Sequence, residues 1–231
     1  MNLSFDLISD LNLTTGDKFV WEGKVTSLFC VIPGNISSDI SIVKKTLTYL
    51  AELYQGVFYI DGATEHESIF GRSERIAQIE KICKHINNTV YLHDNVIIVN
   101  GIAILGINGW YGNYTKTTGA LDSVRLESFR QDDMVYLHES IKRMQLHPEV
   151  ENILILSASV PSKELYFGEH TAINDSMSPT VSLIGDTEKK VSHWVFGGSN
   201  KKVDITINDI NYLANPRSTS EPYWAKCITI S

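Results

Sequence analysis

The chain has 231 residues, 20 basic against 27 acidic side chains, and a formal charge of −7. That length suits one large domain or two small ones, and a 43% hydrophobic share excludes global disorder. The acidic balance argues against general nucleic-acid binding, which needs clustered Lys and Arg. The largest basic clusters are the pairs Lys44-Lys45, Lys189-Lys190 and Lys201-Lys202, expected to be solvated surface.

Cys30, Cys83 and Cys227 are odd in number and widely spaced, with no CxxC pair. Reduced thiols in a cytosolic protein are expected, not a zinc knuckle or a redox pair. The opening MNLSFDLISDLNL carries Asp6 and Asp10 inside its apolar stretch and lacks a basic segment, so it does not read as a signal peptide. No apolar run is long enough for a membrane span. Sequons at Asn12, Asn35, Asn87, Asn113 and Asn174 reflect Asn and Ser/Thr abundance.

Short β-branched runs alternate with amphipathic stretches, an α/β signature. Leu3 to Ile8 reads as a buried strand, 14–27 as a polar excursion holding Trp21, and Ser27 to Ile32 as a second strand closed by Pro33-Gly34-Asn35. Ile42, Val43, Leu47, Leu50 and Leu53 recur at helical spacing, predicting a helix over Asp39 to Leu53 capped by Ser38 or Asp39. Val57 to Ile60 is a third strand, and Ser73 to Ile86 a second helix.

Hairpin punctuation follows. Val90 to Leu92 leads through His93-Asp94-Asn95 to Val96–Val99, then through Asn100-Gly101 to Ile102–Leu105. A Gly-, Tyr- and Thr-rich loop over 108–119 precedes a long helix, Val124 to Leu146, with Met134, Leu137, Ile141 and Met144 on one stripe. Pro148 ends it. Asn152 to Ser157 is a buried strand and 161–180 is irregular. Ser192–Phe196, Val203–Ile207, Ile210–Ala214 and Ala225–Ile230 are strands, with Asn208-Asp209 as a further hairpin turn. No linker, charge run or repeat divides the chain, so one domain over 1–231 is expected.

Open α/β sheets place their sites beyond the strand C-termini. Those ends carry Ser9-Asp10-Leu11-Asn12, Pro33-Gly34-Asn35, Asp61-Gly62-Ala63-Thr64-Glu65, Ser157-Ala158-Ser159 and Gly197-Gly198-Ser199-Asn200. In this order and spacing the chain resembles the calcineurin-like metallophosphoesterases, whose motifs run D-x-H, G-D, G-N-H-D/E, a lone His after an apolar strand, and G-H-x-H. LGINGWYGN resembles the aromatic loop after their third motif. VSHWVFGGSNKKVDITINDINYLANPR resembles their closing strand, loop, hairpin and Asn-Pro-Arg turn. The resemblance covers about residues 3–217. It implies a four-layer αββα sandwich, two facing mixed β-sheets flanked by helices.

The resemblance also implies two divalent ions, a hydroxide that attacks phosphorus, and a His that protonates the leaving oxygen. Matched position by position, Asp10 keeps the first Asp and Glu65 the acidic end of the third motif. Asn12 stands where a His is expected, and Asn35 where the bridging Asp is. Ala63 stands for the Asn ligand and Thr64 for the leaving-group His. Ala158 stands for the lone His, and Gly198 and Asn200 for the last two. Ala and Gly donate nothing to a cation, amides donate weakly, and imidazole is absent from every matched position. No catalytic residue, metal ligand or cofactor is therefore expected. Asp10, Asn12, Asn35 and Glu65 remain as candidates for a single ion or small ligand.

Among seven His, His66 follows the third motif and could replace the lost leaving-group His, although an ordinary exposed His is expected. His138 and His147 lie nine apart near the long helix, and His193 is expected to be structural. Ser157 and Ser159 lack a motif-placed base. Trp110, Tyr111, Tyr114, Tyr223 and Trp224 could form an exposed recognition patch, against core packing as the plainer expectation.

The expected function is that of a catalytically inactive metallophosphoesterase-like scaffold with a protein partner or self-assembly, without membrane or nucleic-acid binding. A weak, single-metal or shifted-ligand phosphoesterase using Asp10, Glu65 and His66 is the rival, and a nucleic-acid accessory factor is third. High Ile, Asn, Ser and Thr content fits an AT-rich genome such as a bacteriophage's, hence host cytoplasm or virion.

Overall fold

A computed structural model describes residues 2–66, 71–109, 120–162, 165, 189–199, 201–218 and 222–231, with backbone alone over 120–123. In chain order the elements begin with β1 (Leu3–Leu7), β2 (Phe29–Pro33), α1 (Ile40–Leu53), β3 (Gly56–Ile60) and a 3₁₀ turn at Ala63–Glu65. Next come α2 (Arg72–Lys84), β4 (Thr89–Tyr91), β5 (Val96–Val99), β6 (Ile102–Ile107) and α3 (Ala120–Leu146). The last five are β7 (Asn152–Ser157), β8 (Val191–Phe196), β9 (Val203–Ile207), β10 (Ile210–Ala214) and β11 (Lys226–Ile230).

These strands form two sheets, ordered β11-β1-β2-β3-β4 and β5-β6-β7-β8-β10-β9. In the first, only β11 runs antiparallel to its neighbour. In the second, the edge pairs β5–β6 and β9–β10 are antiparallel and the centre is parallel. Parallel strands covered on both faces read as continuous apolar runs, and Ile102–Ile107 is buried at every position.

Alternation of side chains assigns each face. Phe5, Leu7, Val31, Phe58 and Ile60 of the first sheet meet Ile104, Leu154, Leu156, Val195 and Leu213 of the second. The outer face of the first sheet packs Ile32, Val57 and Tyr59 against Val43, Leu47 and Leu50 of α1 and Ile79 and Cys83 of α2. The outer face of the second packs Leu105, Ile155 and Trp194 against Leu137, Ile141 and Met144 of α3. The layers are therefore α, β, β, α, as expected. Truncating a fully buried Leu such as Leu156 would cost roughly 2–5 kcal/mol.

Asp39 is the cap of α1, accepting the Ser41 N–H at 2.8 Å. At the β5–β6 turn, Asn100 and Gly101 take φ 48° and 81°, both left-handed as a two-residue turn requires. Asn208 and Asp209 do the same between β9 and β10. One expected pairing is corrected. Val90–Leu92 and Val96–Val99 do not form a hairpin, because β4 pairs parallel to β3 while β5 joins the other sheet. His93-Asp94-Asn95 is the crossing between sheets, with Asp94 at φ 49°. α3 also begins four residues before the expected Val124.

The polar excursion is pinned from inside. Asp6 is fully buried in β1 and its Oδ2 accepts the Thr26 N–H at 2.7 Å and the Tyr54 hydroxyl at 2.7 Å. Its Oδ1 accepts the Thr26 hydroxyl, and the Tyr54 oxygen accepts the Trp21 indole N–H. Trp21 lies buried against Tyr223, with ring centroids 5.2 Å apart. A buried carboxylate is tolerable only when satisfied in this way. Replacing Tyr54→Phe leaves the buried Trp21 indole N–H unmet and takes one of two donors from Asp6 Oδ2, and is expected to lower stability by roughly 1–3 kcal/mol. Urea denaturation of the two proteins, followed by Trp fluorescence, checks this.

Candidate functional site

The loops after β1, β2, β3, β7 and β8 converge at one end of the sandwich. Their backbones turn sharply there: Asp10, Asn12, Gly34, Asn35 and Gly198 all have positive φ, at 52°, 45°, 74°, 62° and 71°. Asp and Asn tolerate this region better than other side chains, and Gly is free in it. Gly34 is also required for space. A Cβ there would sit 2.8 Å from the Ala158 Cβ and 2.9 Å from the Gly62 nitrogen.

Glu65 ties these loops together. Its Oε2 accepts the backbone N–H groups of Gly62 (2.8 Å) and Asn35 (3.1 Å), and its Oε1 that of Ile36 (2.5 Å). The side chain is fully buried. Burial pushes its carboxyl up to about 7, against the opposing pull of the Ile36 and Gly62 amides. Glu65 is therefore occupied in holding backbone.

Asn35 is the hub above it. Its Nδ2 donates to Asp10 Oδ1 at 2.8 Å and to the Ala158 carbonyl at 3.3 Å, and its Oδ1 accepts the Thr64 N–H at 3.2 Å. Gly198 N–H donates to the same Asp10 Oδ1 at 2.7 Å. Thr64 Oγ1 donates to Asn12 Oδ1 at 3.1 Å, and Asn12 Nδ2 to the Asp10 carbonyl at 3.2 Å. Asp10 is 5% exposed, and its Oδ2 is buried without a hydrogen-bond partner. Burial pushes its carboxyl up to about 6, with the Gly198 and Asn35 donors acting the other way.

This arrangement answers whether two divalent ions fit. A cation needs lone pairs. At the position matched to the bridging carboxylate, Asn35 presents N–H donors to Asp10 and Ala158, and Gly198 presents another. A group whose hydrogens point toward Asp10 repels a cation there. Among the described residues, no cluster of three or more His, Cys, Asp or Glu could hold an ion. The donor set does not fit the pair of ions that the resemblance implies.

Ala63 and Ala158 contribute no polar side chain, and Asn200 lies outside the described residues. His66 corrects an expectation. It is buried, with a side chain 2% exposed, and its Nε2 pairs with Asp61 Oδ2. Asp61 Oδ1 accepts the Tyr91 hydroxyl at 2.6 Å. Burial alone would raise the Asp61 carboxyl, but His66 and Tyr91 outweigh it and hold it below its usual value. His193 is half-buried between Ser192 Oγ (3.0 Å) and Asn211 Nδ2 (3.3 Å), a structural position as expected. Ser157 Oγ donates to the Ser159 carbonyl and accepts the Trp194 indole N–H, at 2.7 and 2.8 Å. Ser159 Oγ donates to the Gly109 carbonyl at 2.5 Å. Both serines serve backbone and core packing.

Trp110, Tyr111, Tyr114 and His170 lie outside the described residues. Tyr223 is buried, not part of an exposed patch, whereas Trp224 is 58% exposed. Tyr223 accepts the Ser9 N–H at 2.9 Å and donates to the Asn215 carbonyl at 2.5 Å. Asn215, from the Asn-Pro-Arg turn, donates to the carbonyls of Leu7 (2.9 Å) and Trp224 (3.0 Å). This clasp fixes the loop that carries Asp10.

No family sequence model matches the chain, and no curated protein sequence is similar to it. Solved structures are similar in fold. Phosphopantetheinyl hydrolase from Mycobacterium tuberculosis superposes with a TM-score of 0.73 at 12% identity, over 98% of this chain and 96% of that one. GAP50, the anchor in the inner membrane complex of Plasmodium, gives 0.56 at 13%, over 93% and 71%. A Staphylococcus aureus protein provisionally assigned as a 5′-nucleotidase, solved with alpha-ketoglutarate, gives 0.59 at 10%, over 100% and 51%. The chain thus has the calcineurin-like metallophosphoesterase fold.

Two consequences are measurable. The folded values of Glu65 and Asp10, about 7 and about 6, exceed their ordinary values of 4.5 and 3.8. The folded state then binds these protons more tightly than the unfolded state. The stability they contribute is full below the ordinary values and is lost as pH rises through the folded ones. The melting temperature should fall between about pH 5 and pH 8, with Glu65→Gln less stable throughout and flatter in the upper part of that window. Parallel profiles would contradict the Glu65 assignment. Separately, Asn35→Asp places a second carboxylate 2.8 Å from Asp10 Oδ1, and should lower the melting temperature in metal-free buffer.

Proposed function

We propose that this chain is a catalytically inactive metallophosphoesterase-like protein that works by binding, as a scaffold or assembly component with a protein partner or further copies of itself. The observation that carries this reading is the Asn35 amide, whose hydrogens face Asp10 and Ala158 where a two-ion site needs a shared carboxylate. An ion-generated hydroxide is the nucleophile of that chemistry, and nothing at these positions substitutes for it. GAP50, a fold relative named as an anchor, shows that this architecture also occurs in a protein with an anchoring description.

The residual-enzyme alternative has one point in its favour, the unpartnered Asp10 Oδ2. Against it, Glu65 is consumed by three backbone amides and His66 by Asp61. A nucleic-acid accessory role is disfavoured by the charge of −7. No helix among the described residues is long and apolar enough to cross a membrane. The host cytoplasm or a virion, for a chain of phage origin, is the setting consistent with this reading.

Purified protein should carry no stoichiometric Mn, Fe or Zn by elemental analysis after dialysis. It should not hydrolyse aryl phosphomonoesters or diesters above buffer, with or without added Mn²⁺, and EDTA should leave its melting temperature unchanged. Two tightly held ions per chain, or turnover abolished by Asp10→Ala, would overturn the reading in favour of the enzyme.

A further inference from the structure

The first sheet ends at β4, and that edge is open among the described residues. Val57 N–H donates to the Asn88 carbonyl and Leu92 N–H to the Tyr59 carbonyl, both at 2.8 Å. Main-chain groups alternate in direction along a strand, so Thr89 and Tyr91 turn theirs away from β3. The Ile86 carbonyl takes the Thr89 N–H at 3.0 Å. The Thr89 carbonyl and both main-chain groups of Tyr91 are left for a further strand. Beside them a cavity of ≈ 480 Å³ runs between α2 and this edge. Its α2 wall carries Ile76, Cys83 and Lys84, and its strand wall Tyr91, His93 and Asp94. The Tyr91 ring is fixed by its hydroxyl on Asp61 and by the His93 ring stacked on it, centroids 5.7 Å apart. The two ends of the groove are oppositely charged. The chain turns back from α2 into β4, so Lys84 stands at the Thr89 end and Asp94 beyond Tyr91 at the other. Both charged heads are exposed, Lys84 beside Glu80 at 2.8 Å and Asp94 beside His93 at 3.5 Å. At the far edge of the same sheet, β11 is tied through Lys226 to Asp204 of β9. β4 carries no charged side chain and no Pro to guard it.

We propose that this groove takes an extended segment of a partner protein, added to β4 as a further strand of the first sheet. The added strand runs antiparallel to β4 and exchanges hydrogen bonds with the Tyr91 N–H and carbonyl. The side chains on one of its faces lie against Ile76 and Cys83, and β-branched apolar residues suit that surface. The charges set its flanks. In the antiparallel direction its N-terminal end reaches Asp94 and carries a base, and its C-terminal end reaches Lys84 and carries an acid. Main-chain pairing supplies the affinity and the flanks supply the direction, because a segment with those charges exchanged sets like against like. The proposal rests on the binding half of the reading above and gives the partner its chemistry.

Fluorescence anisotropy on the full chain tests it at low ionic strength, with two labelled heptapeptides blocked at both ends. Lys-Val-Thr-Val-Thr-Val-Glu should bind saturably, and Glu-Val-Thr-Val-Thr-Val-Lys about fivefold more weakly or worse. The first peptide N-methylated at its central Val lacks the N–H that meets the Tyr91 carbonyl, and should bind about tenfold more weakly or worse. The exposed double variant Lys84→Glu/Asp94→Lys should stay folded, as its melting curve reports, and should prefer the second peptide. Equal binding of the two peptides by the parent protein would overturn the proposal. So would affinity that survives N-methylation, or a preference unchanged in the double variant. A parent protein that dimerises in sedimentation, and loses the dimer in the double variant, would give this edge to a second copy and overturn the proposal. Absence of binding by either peptide would overturn this proposal alone. Two tightly held ions per chain, or turnover, would overturn the inactive reading, and the peptides would still decide this one.

Discussion

The strand-end loops depend on a single buried carboxylate, Glu65, and on the three backbone amides that surround it. Removing a carboxylate from water is costly, and its charge form survives only with several donors aimed at it. Here the donors come from both the β2 and β3 loops, so the compensation itself locks the two loops together. Asn35 is then held by its own backbone N–H and can direct its side chain only upward, at Asp10 and Ala158. Thr64 and Asn12 follow from that placement. The electrostatics of the site descend from one buried acid whose desolvation the surrounding peptide N–H groups offset only in part.

That balance separates two kinds of space that lie side by side. Around Asn35, Gly34 and Ala158, atoms are so close that Cβ atoms added at Gly34 or Gly62 would collide with their neighbours. This part is filled by amide groups and admits nothing. Beyond Asp10 the wall changes to longer, charged side chains, Lys201, Lys202 and Arg217, around open volume. The positive charge at this end of the fold is carried by protein cations in the wall of the cavity beside Asp10. Asp10 stands on the border, with its Oδ1 held by the Asn35 amide and the Gly198 N–H.

Most of the fold was legible because buried parallel strands leave dense apolar runs and the helices carry clean stripes, Val43-Leu47-Leu50 and Leu137-Ile141-Met144. The division into two facing sheets was legible only through the resemblance, since local pattern does not say which sheet a strand joins. The change of sheet at His93–Asn95 shows this: two short apolar runs with a polar triplet between them look the same whether they pair or part. At the site, the resemblance allowed each expected ligand position to be matched to the residue that stands there. The destinations of Glu65 and Asp6 were not legible, because most of their partners are distant in sequence, and that of His66 was not, because a pairing with Asp61 across an irregular loop has no periodic signature. One local signal did exist. Glu65 lies three residues after Gly62 and accepts its N–H, the spacing of a capping box at a short helical turn.

The clasp between β1 and residues 215–230 bears on how the molecule is made. β1 lies between β2 and β11, so one of its edges stays unpaired until residues 226–230 are synthesised. The Asp10 loop waits likewise for Asn215 and Tyr223. Such pairings span more than 200 positions, Leu3 with Ile230 at the extreme, and chain entropy makes closures of that length slow. On the ribosome, β1 to β4 emerge early with an open hydrogen-bonding edge and an apolar inner face not yet covered. The first sheet is thus begun by β1 and completed only by β11. A nascent chain halted before Tyr223 would offer that edge to chaperones, or to another nascent chain.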